Sequence, residues 1–423
     1  MVKNIVVLSG NSHPHLTEHV CSLLGIAPGD RILSKFSGGE SRCEIKDSVR
    51  GKDVFILQTG GGAVNDHIME LCIMISACKT GSARRVTAVM PLFPYSRQPD
   101  LPYRKAGAPL SKHAASDAPK DNKYTFESVP TTPGPGTHRS AGFGHGSDLN
   151  KFLSKVSISA SHEPRGPRSH SNSVTSQPGS YTKIDYDSNV SDAALVSLEA
   201  KPGYKRWVAQ AGTLIAELLT CAGADHVIAL DLHDAQYQGF FDIAMDNLYA
   251  RPLLTRYIQR SIPDYKDAII VSPDAGGAKR ATAIADSLGL DFALIHKERR
   301  PTKITDRQNA TMMLVGSVAG RVCILVDDLA DTSNTITRAA KLVRREGATA
   351  VYALLSHGVF SGDALQRINA SALDKVVVTN SVPQEDHKAL CPKLEVLDIA
   401  PMFAEAIRRV HHGESLSSLF HFG

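Results

Sequence analysis

Short unbroken apolar runs alternate with amphipathic stretches along most of this chain. VFIL (Val54 to Leu57), VTAVM (Val86 to Met90), HVIAL (His226 to Leu230) and AIIV (Ala268 to Val271) are too short for buried helices. So are FALI (Phe292 to Ile295), VCILV (Val322 to Val326), VYALL (Val351 to Leu355) and KVVVT (Lys375 to Thr379). Their length and β-branched content predict strands buried on both faces, the signature of parallel sheets. Between them, NDHIMELCIMISAC (Asn65 to Cys78) and TITRAAKLVRREG (Thr335 to Gly347) space their apolar residues as helices do, and the second closes on a glycine suited to a helix end. The opening MVKNIVVLSGNSH predicts a first strand ending in a polar turn, without a signal-peptide layout.

This alternation predicts an α/β fold. The strands outnumber what one sheet usually carries, which predicts two tandem parallel-sheet domains. The first spans 1–103 and 206–250, and the second spans 251–423. Between Arg104 and Lys205 the periodicity fades, and roughly half of Thr131 to Ser180 is Ser, Gly or Pro. Such a composition cannot offset chain entropy by burial, so 104–205 reads as a disordered insertion. LNKFLSKVSI (Leu149 to Ile158) is a marginal local helix or docking motif within it, and Thr132-Pro133 suits a proline-directed kinase.

Composition excludes more than it identifies. A formal charge of +4 over 423 residues, without a basic block, argues against nucleic acid. No apolar stretch approaches the ~20 residues of a membrane span. Seven cysteines without a CxxC pair read as reduced thiols of a cytoplasmic protein.

In parallel sheets, ligands gather where strands hand over to helices. Four such junctions here carry chemistry. DLHDAQ supplies Asp231, His233 and Asp234; SPDAGGAKR supplies Asp274, Gly276, Gly277, Lys279 and Arg280. HKERR supplies Lys297, Arg299 and their charged neighbours, and VDDLADTSNT supplies Asp327, Asp328, Asp331, Thr332 and Thr335. Carboxylates beside small-residue turns suit a Mg²⁺-phosphate ligand, and a Lys/Arg cluster suits charge developing in phosphoryl-type transfer. The last motif divides in two. Its acids can take sugar hydroxyls or a metal, while Asp331 to Thr335 lead into a helix start that suits a phosphate. One pentose phosphate satisfies both. No Walker A or GxGxxG sequence is present.

Taken together, VDDLADTSNTI, DLHDAQ with GFFDIAMDNLYA, SPDAGGAKR, FALIHKERR, FPYSRQ, NDHIMEL and TNSVPQE resemble the ribose-phosphate diphosphokinase, or phosphoribosyl pyrophosphate (PRPP) synthetase, family. The long insertion resembles that of fungal subunits. The resemblance implies two domains of the type I phosphoribosyltransferase kind, assembled with sister subunits into hexamers or larger. It implies Mg²⁺-dependent pyrophosphate transfer from ATP to the anomeric hydroxyl of ribose 5-phosphate, giving PRPP for nucleotide, histidine and tryptophan synthesis. Carried over by motif, His233, Asp274, Asp327 and Asp328 would serve Mg²⁺, and Asp327 and Asp328 also the ribose. Asp331, Thr332, Ser333, Asn334 and Thr335 would seat the 5-phosphate, and Lys297 and Arg299 would stabilise the transferring group. Phe36, Glu40, Arg97, Gln98 and His233 would form the ATP site, with Phe36 and Arg97 sandwiching the adenine. Ser48 and Arg50 would mark an allosteric phosphate or ADP site.

Three departures point instead to a largely non-catalytic regulatory or scaffold subunit. Gly38 replaces an Asn of the family's FSNxE. RQPDLPYRKAGAPL, with Pro99 and Pro102, replaces a Lys-rich flexible catalytic loop. Asn334 replaces a Gly whose freedom would allow positive φ and close approach to phosphate, so restoring Gly is expected to tighten sugar-phosphate binding. A phosphoribosyltransferase that consumes PRPP shares the acidic loop, but it leaves the ATP-side motifs unexplained.

Overall fold

The computed structural model describes residues 4–97, 211–298 and 311–420. Fourteen strands run in chain order through these residues. They are β1 (Ile5–Ser9), β2 (Arg31–Lys35), β3 (Ser41–Ile45), β4 (Asp53–Leu57), β5 (Arg85–Met90), β6 (His226–Leu230) and β7 (Ala244–Leu248). Then follow β8 (Ile269–Ser272), β9 (Asp291–Glu298), β10 (Thr311–Val315), β11 (Val322–Ala330), β12 (Ala350–Gly358), β13 (Lys375–Thr379) and β14 (Leu394–Leu397). The α-helices among the described residues are α1 (Pro14–Leu24), α2 (Val64–Thr80), α3 (Ala211–Ala222), α4 (Arg251–Ser261) and α5 (Ala278–Leu288). They continue with α6 (Asn334–Arg345), α7 (Ala364–Asn369), α8 (Glu385–Leu390) and α9 (Ala400–His412).

Two sheets result. The first has the order β1-β4-β5-β6-β7 and is parallel throughout. The second has the order β10-β9-β8-β11-β12-β13-β14 and is parallel except for its edge strand β10, which runs antiparallel to β9. A separate antiparallel hairpin joins β2 to β3. The expected α/β class with parallel sheets is therefore present. Every predicted apolar run lies on a strand, but β9, β11 and β12 extend three to four residues beyond the sequence expectation, because pairing continues through polar positions. The hairpin, β10 and α9 had no counterpart in the apolar pattern. The insertion's helix and kinase motifs lie outside the described residues.

The continuous apolar runs follow from burial on both faces. Along the first sheet, Val7, Phe55, Leu57, Val89 and Ile228 face one core, while Val6, Leu8, Val54, Ile56 and Val227 face another. In the second sheet, Ile324, Val326, Leu354 and Val377 join that first core, and Cys323, Leu325, Val351 and Val378 build a third. A central apolar layer is thus shared by both sheets, with α1, α4, α5 and α9 contributing Val20, Leu254, Ile284 and Phe403. Four of the seven cysteines (Cys21, Cys78, Cys323, Cys391) are buried free thiols, whereas Cys221 is exposed. Among the described residues no helix is long and apolar enough to cross a membrane.

Candidate functional site

The carboxyl ends of β6, β8 and β11 bring the acidic motifs together. β11 continues through Asp327 and Asp328, because both still pair in the ladder with β12 or flank positions that do. Asp328 is buried. It accepts from His233 Nδ1 at 2.6 Å and from Arg280 Nη1 at 3.1 Å, so the turn after β6 and the first turns of α5 meet on one carboxylate. Asp327 Oδ1 accepts the Asp328 backbone N–H at 3.0 Å and lies 3.8 Å from Arg280.

Asp274 caps the tight turn between β8 and α5, its Oδ1 accepting the Gly277 N–H at 3.1 Å. A Cβ at Gly277 would lie 3.2 Å from Ser272 Oγ and 3.7 Å from Asp327 Oδ1. Glycine here leaves room for Ser272 Oγ against the turn, with the Asp327 and Asp274 carboxylates at ordinary contact distance.

The charge balance of the cluster is uneven. Burial pushes the Asp327 carboxyl up, to about 8, and the Asp328 and Asp274 carboxylates push in the same direction. Burial also opposes ionisation of Asp328, but His233 and Arg280 outweigh it and hold that carboxyl well below the usual range. Asp328 in turn raises the His233 pKa against burial. One acid is therefore neutralised by protein partners, and its neighbour is left short of positive charge.

Beyond β11, the chain turns through Asp331, Thr332 and Ser333 into α6. Ser333 is the helix cap, with left-handed φ of 60° and ψ of 12°. Its side chain is buried, and its Oγ has no hydrogen-bond partner among the described residues. No side chain caps the first N–H groups of α6. A left-handed residue was expected at Asn334; instead Asn334 is the first helical residue, and its Nδ2 lies 3.3 Å from Thr332 Oγ1. The reason is geometric, since the reversal that aims the helix must precede its first residue. The other end of α6 matches expectation, with Gly347 at a φ of 95°.

Other expected residues are placed differently. Arg97 forms an ion pair with Asp331, and that pair with hydrogen bonding from Ser361 keeps the Asp331 carboxyl low despite burial. Phe36, expected to sandwich adenine with Arg97, is 53% exposed at the tip of the β2–β3 hairpin. Its N–H donates to Glu40 O at 2.8 Å, and no hydrogen bond or ion pair links Phe36 or Glu40 to the acidic cluster among the described residues. Gly38 at the tip has open space around it. Ser48 and Arg50 are exposed on the turn preceding β4, at the opposite end of the strands from the cluster. Lys297 lies on β9, with its side chain outside the described atoms; Gln98 and Arg299 lie outside the described residues.

Two arginines act here without having been singled out as site residues. Arg280 was visible beside the glycine pair, but its partner is 48 residues away. Arg367, on α7, donates to Thr332 O at 2.9 Å and carried no local signal at all.

Residues 5–114 match the N-terminal domain of ribose phosphate pyrophosphokinase, and residues 301–421 match the phosphoribosyl synthetase-associated domain. Ribose-phosphate pyrophosphokinase 5 of Schizosaccharomyces pombe is 46% identical over 99% of this chain and 98% of its own length. Phosphoribosylpyrophosphate synthetase from Mycobacterium smegmatis superposes with a TM-score of 0.67 at 30% identity, covering 97% of this chain and 100% of that one. The chain belongs to the ribose-phosphate pyrophosphokinase, or PRPP synthetase, family.

Proposed function

We propose that this chain binds ribose 5-phosphate at the β11–α6 junction and transfers pyrophosphate to its anomeric hydroxyl from MgATP, releasing AMP. One observation carries the reading. A single strand–turn–helix presents the buried Asp328 carboxylate beside the half-buried Asp327 at one end and an uncapped helix start with the unpartnered Ser333 Oγ at the other. Helix N–H groups and the helix dipole favour a phosphate, while carboxylates accept sugar hydroxyls. A pentose phosphate spans both.

The donor set fits Mg²⁺. Mg²⁺ is commonly held by one or two carboxylates with phosphates and water. Asp327, short of positive charge, offers a hard oxygen that a cation would keep ionised. Bound Mg²⁺ would offset charge between these acids and the diphosphate. Asp274 and His233 stand at the neighbouring strand ends, where they would meet the nucleotide side. Arg280 and His233 fix Asp328, so the acid arrives oriented. Lys297 and Arg299 would stabilise charge on the transferring group. Phe36, Glu40, Arg97 and Gln98 would hold ATP once Arg97 leaves Asp331, and Ser48 with Arg50 would take a regulatory phosphate or ADP. Work in the cytoplasm, within a hetero-oligomer of sister subunits, belongs to the same proposal. Gly38 favours a second reading, a regulatory subunit, because nothing at that hairpin tip replaces the family's amide.

Calorimetric titration with ribose 5-phosphate, ribose and inorganic phosphate, each with Mg²⁺, tests the binding half. Ribose 5-phosphate is expected to bind more tightly than either fragment, and Ser333→Ala or Asp328→Asn to weaken it by roughly tenfold. Equal affinity for all three compounds would sink the reading.

A further inference from the structure

His357 lies on β12, fully buried and in ladder register with Leu329, the residue after Asp328. Both of its ring nitrogens are engaged. Nε2 lies 3.0 Å from Leu230 O and 3.3 Å from Asp231 O, both carbonyls that can only accept. Nδ1 lies 2.8 Å from Ser381 Oγ. Nε2 must therefore carry the proton, with Nδ1 accepting from the hydroxyl. Burial lowers the His357 pKa, in keeping with a neutral ring.

The two carbonyls belong to the end of β6, on the first sheet, so one imidazole crosses from the second sheet to the turn that carries His233. That turn needs holding. Asp231 is a buried non-glycine residue at a φ of 39°, a conformation that persists only where the surroundings enforce it. Its carboxylate accepts from Ala250 N at 3.0 Å and from the Ser356 hydroxyl, the residue before His357. Two residues further on, His233 meets Asp328 at 2.6 Å. The β11–β12 register thus fixes Asp328 directly, and through His357 and Ser356 it fixes the turn bearing its histidine partner.

We infer that His357 is a positioning residue: its Nε2–H clamps the Leu230–Asp231 turn so that His233 is aimed at Asp328 and the nucleotide side of the site. The link to turnover rests on the reaction proposed above, whereas the aiming of His233 does not. The full-length chain, labelled at its histidines, separates the two. Imidazole nitrogen NMR shifts report whether His233 Nδ1 stays bonded to Asp328. AMP formation from ATP and ribose 5-phosphate gives kcat and KM.

His357→Gln, whose amide can replace Nε2–H, is expected to keep both readouts near wild type. His357→Leu is expected to move the His233 signal to that of an unbonded imidazole and to lower kcat by roughly 10- to 100-fold. The KM for ribose 5-phosphate should rise as well, because Asp328 loses the His233 contact that orients it toward the ribose. Should His357→Leu fail to fold, Ser381→Ala removes the hydroxyl on the far side of the ring, which also lies 3.3 Å from Ser356 O, and is expected to shift the His233 signal in the same direction. An unchanged His233 signal in folded His357→Leu, or in Ser381→Ala, overturns the proposal whatever the activity. A wild-type chain that makes no AMP either alone or in complex with sister subunits would overturn the proposed reaction and leave the His233 readout to decide this one.

Discussion

Ser333 shows how one residue serves two purposes at the β11–α6 junction. Its left-handed backbone costs about 1 kcal/mol relative to glycine, and its buried Oγ has no partner among the described residues. Ser333→Gly is therefore expected to raise stability by about 1 kcal/mol in thermal unfolding and to weaken ribose 5-phosphate binding in the same preparation. Asn334→Gly should not tighten binding, since Asn334 is already helical and would only lose its contact with Thr332. Asp327 gives a pH prediction. Its folded pKa lies above the unfolded value, so between pH ~4 and about 8 the folded state holds the extra proton and stability falls as pH rises. Asp327→Asn should flatten that fall in metal-free protein and gain on the order of 2 kcal/mol at pH 8. Urea unfolding across this range checks it, and a parallel slope in the variant would contradict it. The acids and His233 were legible in the sequence because each follows its own strand directly. Arg280 was legible but its partner was not, and Arg367 and His357 were not legible at all, because tertiary folding alone brings their partners to them.

Elements were legible in proportion to their apolar content. β4, β5, β6 and β13 bury nearly every residue and stood out as unbroken runs. The β2–β3 hairpin did not, because only Leu33 of β2 is buried and its alternation is weak. The polar ends of β9 and β11 were hidden for a related reason: ladder pairing, not hydrophobicity, carries the strand through them. The hairpin's exposed tip yields a prediction of its own. Phe36 packs on nothing that stability needs, so Phe36→Ala should change unfolding free energy by less than about 0.5 kcal/mol. If the hairpin grips adenine, the same change should raise the KM for ATP by roughly tenfold or more. A variant that loses stability but keeps its ATP dependence would place the hairpin in packing instead.

At the scale of the whole molecule, the chain closes on itself through α9. Asp53, buried at the start of β4, accepts from Arg84 at 2.6 and 2.9 Å, from Arg85 at 3.3 Å and from His411 of α9 at 2.8 Å. Arg85 also donates to Val410 O at 2.8 Å. Burial opposes the Asp53 charge, but Arg84 and His411 hold its carboxyl below the usual range. Its contribution is thus present above the unfolded carboxylate pKa and lost as pH falls through the lower folded one. Asp53→Asn should cost about 2 kcal/mol at neutral pH and less below pH ~4, as read by calorimetry. This return of the C-terminus to the first sheet was not legible, because no local pattern marks a contact across 358 residues.

The central claim concerns chemistry at the strand ends that these contacts assemble. Its most direct test is AMP formation from ATP, ribose 5-phosphate and Mg²⁺ by the purified chain, alone and with the sister subunits proposed for it. Lys297→Ala in this chain is the comparison. The proposed reaction predicts ribose 5-phosphate-dependent AMP, reduced at least tenfold by the substitution. Activity of the complex that is unchanged by Lys297→Ala would contradict a direct catalytic role for this chain.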